Sequence, residues 1–363
     1  MRPLSTATPK PMLDLLGVPV VERLLDHLGS FGVRDFYLNP GYLGDQLHRH
    51  FRSRAARSIF FANEGGYAEG RWDGAPIGSA STLARLQRRH SAFDGDFFVL
   101  CGDALIDLDM AGLMRAHKDS GAEVTISAAK VPRQDIPKYG ILDVNPQGRV
   151  ISFQEKPAVE EARSCLASTG IYVFSPAALH RLQDEEGLDI AIDLLPRILA
   201  RGGRIQAHSP EFIWADIGNP ADYFAALQRG LSGTLPGVMP AGEEAAPGVW
   251  LAPGAEVSPR ARILGPCYAG PGARILAGAE LQGSCVIGAD CVVEGKTLLR
   301  DSMLMPGTQV SSGVWLEAQI AAPDWSLSYG QPVFGVPKAP PVTGLVPASA
   351  AATGSWGRIF QAG

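Results

Sequence analysis

Apolar residues follow two different periods along the chain, and the first period covers its N-terminal part. Apolar positions at helical spacing alternate there with short apolar runs, of which 96–101 has the composition of a fully buried strand. The pattern predicts helices over 20–28, 43–54, 79–89 and 111–118, and strands over 35–38, 58–62, 96–101, 124–129 and 149–154. Strands that alternate with helices of about ten residues predict an α/β domain with a mostly parallel sheet covered on both faces.

The second period is six residues long and begins near position 251. One apolar residue recurs at every sixth position, and a small residue stands four positions after most of them. The apolar row is Leu251, Val257, Ile263, Ala269, Ile275, Leu281, Ile287, Val293, Leu299 and Met305, and the small row is Ala255, Ala261, Cys267, Ala273, Ala279, Cys285, Cys291 and Thr297. This period predicts a triangular parallel β-helix of about three coils, similar to the left-handed hexapeptide helix, with the period ending where Ser311 takes the next slot.

These patterns predict four segments: a first domain over 1–232, a linker over 233–248, the β-helix over 249–320, and a partly ordered tail over 321–363 rich in Pro, Ala and Gly. Hydrophobic residues make up 46% of the chain, yet no run approaches the ~18 apolar residues of a membrane span. A net charge of −5 argues against nucleic-acid binding. We therefore expect neither membrane nor nucleic acid as a partner.

Cysteine usage and the first residues bear on the compartment. The five cysteines are odd in number and form no C-x-x-C pair, so disulfides and a zinc site are not expected. Three of them, Cys267, Cys285 and Cys291, fall in the small row of the β-helix and are interpreted as core residues. The first residues contain no apolar run of a secretory signal, so the expected location is the cytoplasm.

Four loops offer candidate chemistry. Asp103 follows the apolar run and Gly102, which suits a hard cation such as Mg²⁺, although Gly-Asp is also a common turn. Asp216 lies in a second such context, between an apolar stretch and Gly218. Glu155 and Lys156 pair an acceptor with a cation, or form a surface ion pair before a turn. The small residues 76–81 enter a helix, where backbone N–H groups can face a base or a phosphate.

Taken in order, these pieces resemble the nucleotide-sugar pyrophosphorylases, that is, the sugar-1-phosphate nucleotidyltransferases. The motifs are P-L-S-x-x-x-P-K-P-M-L, P-I-G-S-A, G-D, K-Y-G, E-K-P, S-T-G-I-Y-V-F and W-x-D-I-G-N-P-x-D-Y, spread over about residues 1–230. The motifs resemble those of bacterial mannose-1-phosphate guanylyltransferases in particular, and an attached hexapeptide helix is common in the family. The resemblance implies a Rossmann-like sheet of the nucleotide-diphospho-sugar transferase type. It also implies transfer of a nucleotidyl group from a nucleoside triphosphate to a sugar-1-phosphate, with GTP and mannose-1-phosphate as the best candidates.

The resemblance also implies roles for individual residues. The catalytic residues would be Lys10, held extended between two prolines to neutralise phosphate charge, and Asp103 and Asp216, which would hold Mg²⁺. Lys156 would contact the sugar phosphate and Glu155 the sugar hydroxyls. The remaining implied contacts are Gly140, Ser168, Thr169 and Gly170 in the sugar pocket, and Gly78, Ser79 and Ala80 facing the base.

Three features depart from the family pattern. Ser168 stands where the family usually has Asn, which leaves the sugar open, and eleven residues separate Glu64 from Pro76. The family's first strand and its glycine-rich loop, roughly G-G-x-G-T-R, would precede Met1. We expect the start codon to have been assigned at an internal Met, with a degenerate paralogue as the other interpretation.

Other functions stay open at this point. They are a thymidylyl-, adenylyl- or uridylyltransferase acting on glucose-1-phosphate, and a non-catalytic regulatory homologue without the phosphate loop. An acyltransferase would need a histidine in or near the coils, and all seven histidines lie at or before His208. Since family members often pair through the β-helix, a homo-oligomer is expected.

Overall fold

The computed structural model describes residues 1–52, 57–68, 71–180, 182, 185–329 and 345–347. The chain forms two compact units. One unit is Leu24–Trp214, and the other joins Met1–Arg23 to the chain from Ala215 onward. Among the described residues no helix combines the length and the apolar character that a membrane span requires. Most of the predicted tail lies outside the described residues.

The first four α-helices along the chain begin and end close to the predicted positions, and the two that follow were not predicted. They are α1 Val20–Ser30, α2 Gly44–Phe51, α3 Ser79–His90, α4 Met110–Ser120, α5 Leu195–Ala200 and α6 Pro220–Leu231. Helix α4 shows the local cause of its bounds: the Asp109 carboxylate accepts a hydrogen bond from the Gly112 N–H at 2.9 Å, and Gly121 follows the helix with φ +58°.

Twelve strands precede the six-residue period in the described part of the chain. They are β1 Asp35–Leu38, β2 Ser58–Phe61, β3 Gly65–Ala68, β4 Arg71–Gly74, β5 Phe97–Leu100, β6 Ala104–Ile106, β7 Val124–Lys130, β8 Gly140–Val144, β9 Val150–Glu155, β10 Leu166–Phe174, β11 Ile205–His208 and β12 Trp214–Asp216.

The main sheet of the Leu24–Trp214 unit is mixed. Strand β10 runs antiparallel to β5, β7 and β8, and β8 runs antiparallel to β9. Parallel pairing joins β7 to β11 and, in a separate pair, β1 to β2. Apolar residues of β7 and β10 pack with residues of α3 and α5 in one buried core, which includes Ile126, Phe174, Ala84 and Ile198. The predicted α/β class is confirmed, but of the strand pairs described in this mixed sheet only β7–β11 is parallel, whereas a mostly parallel sheet was predicted.

Strand β5 is less buried than its composition predicts. We expected the run 96–101 to be a fully buried strand, but Phe97–Leu100 are all half-buried. Within the described residues β5 pairs with β10 alone, so its second edge carries no strand. A strand paired along one edge only has fewer neighbours to cover its side chains, and the expectation of full burial was wrong.

The six-residue period forms a parallel solenoid of about four turns. Its strands are β13 Glu243–Ala246, β14 Val249–Leu251, β15 Glu256–Val257, β16 Arg262–Leu264, β17 Cys267–Ala269, β18 Arg274–Ile275, β19 Glu280–Gln282, β20 Cys285–Ile287, β21 Val292–Val293, β22 Leu298–Arg300, β23 Met303–Leu304, β24 Thr308–Val310, β25 Trp315–Glu317, β26 Gln319–Ala321, β27 Ser326–Ser328 and β28 Leu345–Pro347. Three parallel faces run through β14–β17–β20–β23–β26, β15–β18–β21–β24 and β16–β19–β22–β25. Antiparallel strands β13 and β27 pair with the end strands β14 and β26.

The inward row continues beyond Met305, after which the sequence pattern predicted its end. Cys267 pairs with Cys285, 18 residues on, but Ile287 pairs with Leu304, only 17 residues on. One side of that coil is therefore one residue short, and Leu304, not Met305, is the buried member of the row. After this shift the row runs through Val310 and Leu316, so the predicted break at Ser311 was a change of register and not an end.

The opening segment is structured and packs within the second unit. Leu4–Thr6 and Lys10–Met12 each form a single 3₁₀ turn. Lys10 was expected to be extended, but the Leu13 N–H donates to the Lys10 carbonyl at 3.1 Å and closes the second turn. The fixed φ of Pro11 suits a helical turn, which outweighs the preference of a residue before proline for extended backbone.

Polar contacts hold this segment against later parts of its own unit. The Tyr223 hydroxyl, on α6, donates to the Asp14 carbonyl at 2.5 Å. The Arg23 guanidinium donates to the carbonyls of Leu15 at 3.0 Å and Met239 at 2.6 Å. These bonds join the opening segment to two stretches of chain that lie more than 200 residues later in the sequence.

We expect Ile275→Asp to destabilise the solenoid strongly, because Ile275 is 1% exposed in the inward row. An unpaired carboxylate there should lower the free energy of unfolding by about 3–5 kcal/mol. Ala277→Asp, two residues away at an exposed position, is the matched control. Urea denaturation of both variants measures the difference, and equal stability would contradict the solenoid core.

The five thiols should separate into two classes on labelling. Cys101 and Cys165 are exposed, whereas Cys267, Cys285 and Cys291 are buried. Burial also raises the pKa of Cys285 to about 11 and that of Cys291 to about 12, which disfavours the reactive thiolate. Mass spectrometry after alkylation should find two modified cysteines in the native protein and five after unfolding, with Cys165→Ser lowering each number by one. Native labelling of Cys285 at the rate of Cys165 would contradict the buried assignment.

Candidate active site

One edge of the main sheet gathers several of the predicted residues. Gly140, at the start of β8, pairs with Glu155, at the end of β9. A Cβ atom on Gly140 would lie 2.4 Å from the Phe153 ring and 3.0 Å from the Glu155 carboxylate. The close approach of these side chains therefore requires glycine at this position.

Lys156 follows β9 in an unusual backbone conformation. Its φ is +45°, a left-handed value that costs a non-glycine residue of order 1–3 kcal/mol. The Lys156 N–H donates to the Tyr139 carbonyl at 3.1 Å, which helps to hold the turn. The Lys156 ammonium lies 3.5 Å from the Glu155 carboxylate with the side chain 62% exposed, so it can reach a ligand as well as its ion-pair partner.

Beside this edge, β10 departs from regular pairing. Its register with β7 shifts between Ser168 and Tyr172, and Gly170 has φ +71°. A Cβ atom on Gly170 would lie 3.0 Å from the Cys101 sulfur, so the irregular segment touches the end of β5. The Thr169 hydroxyl donates to the Ser127 carbonyl at 3.0 Å, and its side chain is buried.

Tyr172 is a residue of this segment that the sequence analysis did not select. Its hydroxyl accepts from the Ser168 hydroxyl at 3.4 Å. Burial raises the pKa of Tyr172 to about 12; the hydrogen bond from Ser168 opposes this shift, and the nearby Cys101, Asp189 and Glu155 add to it. The phenol thus stays neutral and can orient the Ser168 hydroxyl. The S-T-G-I-Y motif contained this tyrosine, but nothing in the motif indicated its contact with Ser168.

The predicted metal ligands and Lys10 belong to different units. Asp103 is half-buried in the turn between β5 and β6, within Leu24–Trp214. Asp216 ends β12 and Lys10 begins a 3₁₀ turn, and both belong to the other unit. Within the described residues no three His, Cys, Asp or Glu side chains cluster closely enough to hold a metal ion by themselves.

A buried carboxylate supports residues 76–81, the predicted base loop. Glu64 is 4% exposed, and its two oxygens accept from the Asn39 amide and the Ile77 N–H, both at 3.0 Å. The long loop between Glu64 and Pro76 contains the hairpin β3–β4, closed by a bond of 2.7 Å from the Ala75 N–H to the Glu64 carbonyl. The extra residues therefore form a separate hairpin and leave the following loop attached to Glu64.

The base loop itself packs against residues after position 184. Gly78 has φ +93°, and a Cβ atom there would lie 2.4 Å from the Leu188 carbonyl oxygen. That carbonyl accepts from the N–H groups of Ala80 at 2.9 Å and Ser81 at 3.3 Å. The Ser79 hydroxyl donates to the Asp189 carboxylate at 2.8 Å. Asp189 was also missed, although its place as an acidic residue before an apolar run is a helix-cap signal.

The chain matches a family model described as nucleotidyl transferase over residues 1–232. It is 34% identical over 351 residues to a UTP–glucose-1-phosphate uridylyltransferase from Synechocystis sp., covering 90% of each chain. It is 27% identical over 332 residues to the mannose-1-phosphate guanylyltransferase catalytic subunit beta of Xenopus tropicalis, covering 91% of this chain and 84% of that one.

The fold also matches a solved structure. The crystal structure of HddC from Yersinia pseudotuberculosis complexed with GMP-PN aligns with a TM-score of 0.50 and 24% identity. The alignment covers 63% of this chain and 93% of that one. At this identity the match concerns the fold alone.

Gly78→Ala should destabilise the protein, since the new Cβ would meet backbone atoms that cannot move aside as a side chain can. We expect a loss of about 2 kcal/mol or more in the free energy of unfolding. Gly66→Ala is the matched control, because a Cβ there meets nothing within 4 Å and its φ is not left-handed. Chemical denaturation of the two variants would give equal midpoints if the Gly78 conformation were not required.

Proposed function

Since the chain belongs to the nucleotidyl transferase family, we propose that it transfers a uridylyl group from UTP to glucose-1-phosphate and releases pyrophosphate. The broader class is established: the protein is a sugar-1-phosphate nucleotidyltransferase. The observation that carries the finer proposal is the 34% identity to a uridylyltransferase that extends over nine-tenths of both chains. A match of that extent includes the solenoid as well as the first domain.

A guanylyltransferase acting on mannose-1-phosphate is the second candidate. Several relatives with that name are 26–29% identical to this chain, from animals and from Sulfolobus acidocaldarius. The order of the sequence motifs favours the same class. Because Ser168 replaces the family's usual Asn, the sugar-side motif does not separate glucose from mannose.

The proposed reaction is an in-line displacement at phosphorus. An oxygen of the sugar-1-phosphate attacks the α-phosphorus of the nucleoside triphosphate, the new P–O bond forms, and the bond to pyrophosphate breaks. Such a reaction depends mainly on the positions of its reactants and on neutralisation of phosphate charge.

The side chains of the sheet edge suit the sugar-1-phosphate. The exposed Lys156 ammonium would bind the phosphate, and the Glu155 carboxylate would accept hydrogen bonds from sugar hydroxyls. Ser168, oriented by Tyr172, offers a neutral polar group in the same region. Lys10 would neutralise charge on the triphosphate.

Asp103 would be a ligand of Mg²⁺, and the role of Asp216, which belongs to the other unit, stays a prediction from the sequence. Asp103 fits this role because its carboxylate provides hard oxygen ligands at the end of a strand, and Mg²⁺ is usually bound by one or two carboxylates together with substrate phosphates. When bound, the ion would neutralise part of the negative charge on the phosphates. A site completed by substrate does not require three clustered protein ligands.

A substrate panel tests the proposal. UTP, GTP, ATP and dTTP are each combined with glucose-1-phosphate or mannose-1-phosphate under Mg²⁺, and pyrophosphate release is measured. The highest kcat/KM is expected for UTP with glucose-1-phosphate. A maximum for GTP with mannose-1-phosphate would select the second candidate, and no turnover with any pair would contradict both.

Asp103→Asn should lower kcat by about 10²-fold or more with the best pair, since it removes a charge near the reacting phosphates. Asp119→Asn, on the exposed side of α4, is the matched control and should keep wild-type kcat. Equal turnover by Asp103→Asn and wild type would remove Asp103 from the catalytic residues.

A further inference from the structure

The Asp189 carboxylate connects the base loop to a π-helical turn, Ile190–Leu194. One of its oxygens accepts from the backbone N–H groups of Ala191 at 2.7 Å and Ile192 at 3.2 Å. The other oxygen accepts from the Ser79 hydroxyl at 2.8 Å. Both oxygens therefore have donors, and one of these donors belongs to the predicted base loop.

The contact is reciprocal. The Ser79 hydroxyl accepts from the Ile190 N–H at 2.9 Å while it donates to Asp189. Next to it, the Ser81 hydroxyl donates to the Glu185 carbonyl at 2.7 Å and accepts from the Leu188 N–H at 3.1 Å. Donors and acceptors thus alternate between the two segments, which specifies their relative register more closely than apolar packing would.

This pairing decides which backbone groups of the loop are left for a ligand. The N–H groups of Ala80 and Ser81 are already bonded to the Leu188 carbonyl. Within the described residues the N–H groups of Gly78 and Ser79 have no protein acceptor. The direction of these two N–H groups depends on the conformation of residues 78 and 79, and Ser79 is held by Asp189.

We propose that Asp189 is a positioning residue of the nucleotide site, which acts through Ser79 to orient the backbone of the base loop toward the nucleobase. The inference rests on the proposed function, because it assumes that the loop receives a nucleotide. It assigns Asp189 no contact with the substrate. Its effect should fall on nucleotide affinity and on discrimination between bases, and not on sugar-1-phosphate binding.

Two variants separate the parts of this arrangement. Ser79→Ala removes both hydrogen bonds of the hydroxyl. Asp189→Asn can keep its side-chain oxygen on Ala191 and Ile192 but loses the oxygen that accepts from Ser79. Ser79→Thr retains a hydroxyl and should restore function. Asp109→Asn makes the same substitution at the cap of α4, far from the loop in sequence, and is the matched control for an Asp-to-Asn change at a helix cap.

The measurements are equilibrium dissociation constants for UTP and GTP, KM for the sugar-1-phosphate, and amide hydrogen exchange over residues 78–82. Ser79→Ala should weaken binding of the preferred nucleotide about 10-fold and Asp189→Asn about 3- to 10-fold, consistent with the loss of one or two hydrogen bonds. The ratio of the two nucleotide constants should move toward one, and loop exchange should accelerate. KM for the sugar-1-phosphate should change less than about 2-fold, since its predicted contacts are elsewhere.

The outcomes distinguish the two levels of the proposal. Suppose that the unmodified enzyme binds and converts its substrates, and that Ser79→Ala has the same dissociation constants for UTP and GTP. This result would overturn the positioning role alone. A wild-type protein that binds neither nucleotide would overturn it together with the proposed function. Equal losses in Asp109→Asn and Asp189→Asn would show a general effect on folding and would also overturn it.

Discussion

The antiparallel pairing of β10 with three neighbours is the constraint on which the rest of the Leu24–Trp214 unit depends. Because β10 contacts β5, β7 and β8, its register decides where the ends of those strands meet. The irregularity between Ser168 and Tyr172 releases a few residues from the ladder without ending the strand. Those residues lie close to Cys101, which follows β5, and beside Gly140, which begins β8. Backbone pairing thus gathers groups that are widely separated in sequence.

The two sides of the candidate site are held by different kinds of contact. The side with Glu155 and Lys156 is positioned by strand register, and even the strained Lys156 backbone follows directly from the end of β9. The side with Gly78 and Ser79 lies on a loop, where hydrogen bonds to Leu188 and Asp189 replace a ladder. A loop held by side-chain hydrogen bonds is more sensitive to single substitutions than a strand held by a ladder of backbone hydrogen bonds.

The periodic parts of the fold were predictable from the sequence, and the contacts between distant segments were not. Local patterns placed α3 and β1 almost to the residue, and the six-residue period predicted the inward row through Leu299. The half-exposure of β5 could not be foreseen, because composition reports hydrophobicity and not how many edges of a strand are paired. Glu155 and Lys156 stood out as a motif, whereas Glu64 acts through partners more than ten residues away. The helix-cap signal of Asp189 does not indicate its contact with Ser79, 110 residues earlier.

The short side of the solenoid bears on how such a protein can change length during evolution. In a flat sheet, loss of one residue within a strand exchanges its inner and outer faces. Here one residue is missing on the way from Leu299 to Leu304, yet the next inward residues, Val310 and Leu316, remain buried. The shortening falls at the corner between β22 and β23, which contains Asp301 with φ +43°. Single-residue deletions at corners are therefore a nearly neutral form of variation for this architecture, and coils of unequal length can accumulate without loss of the core.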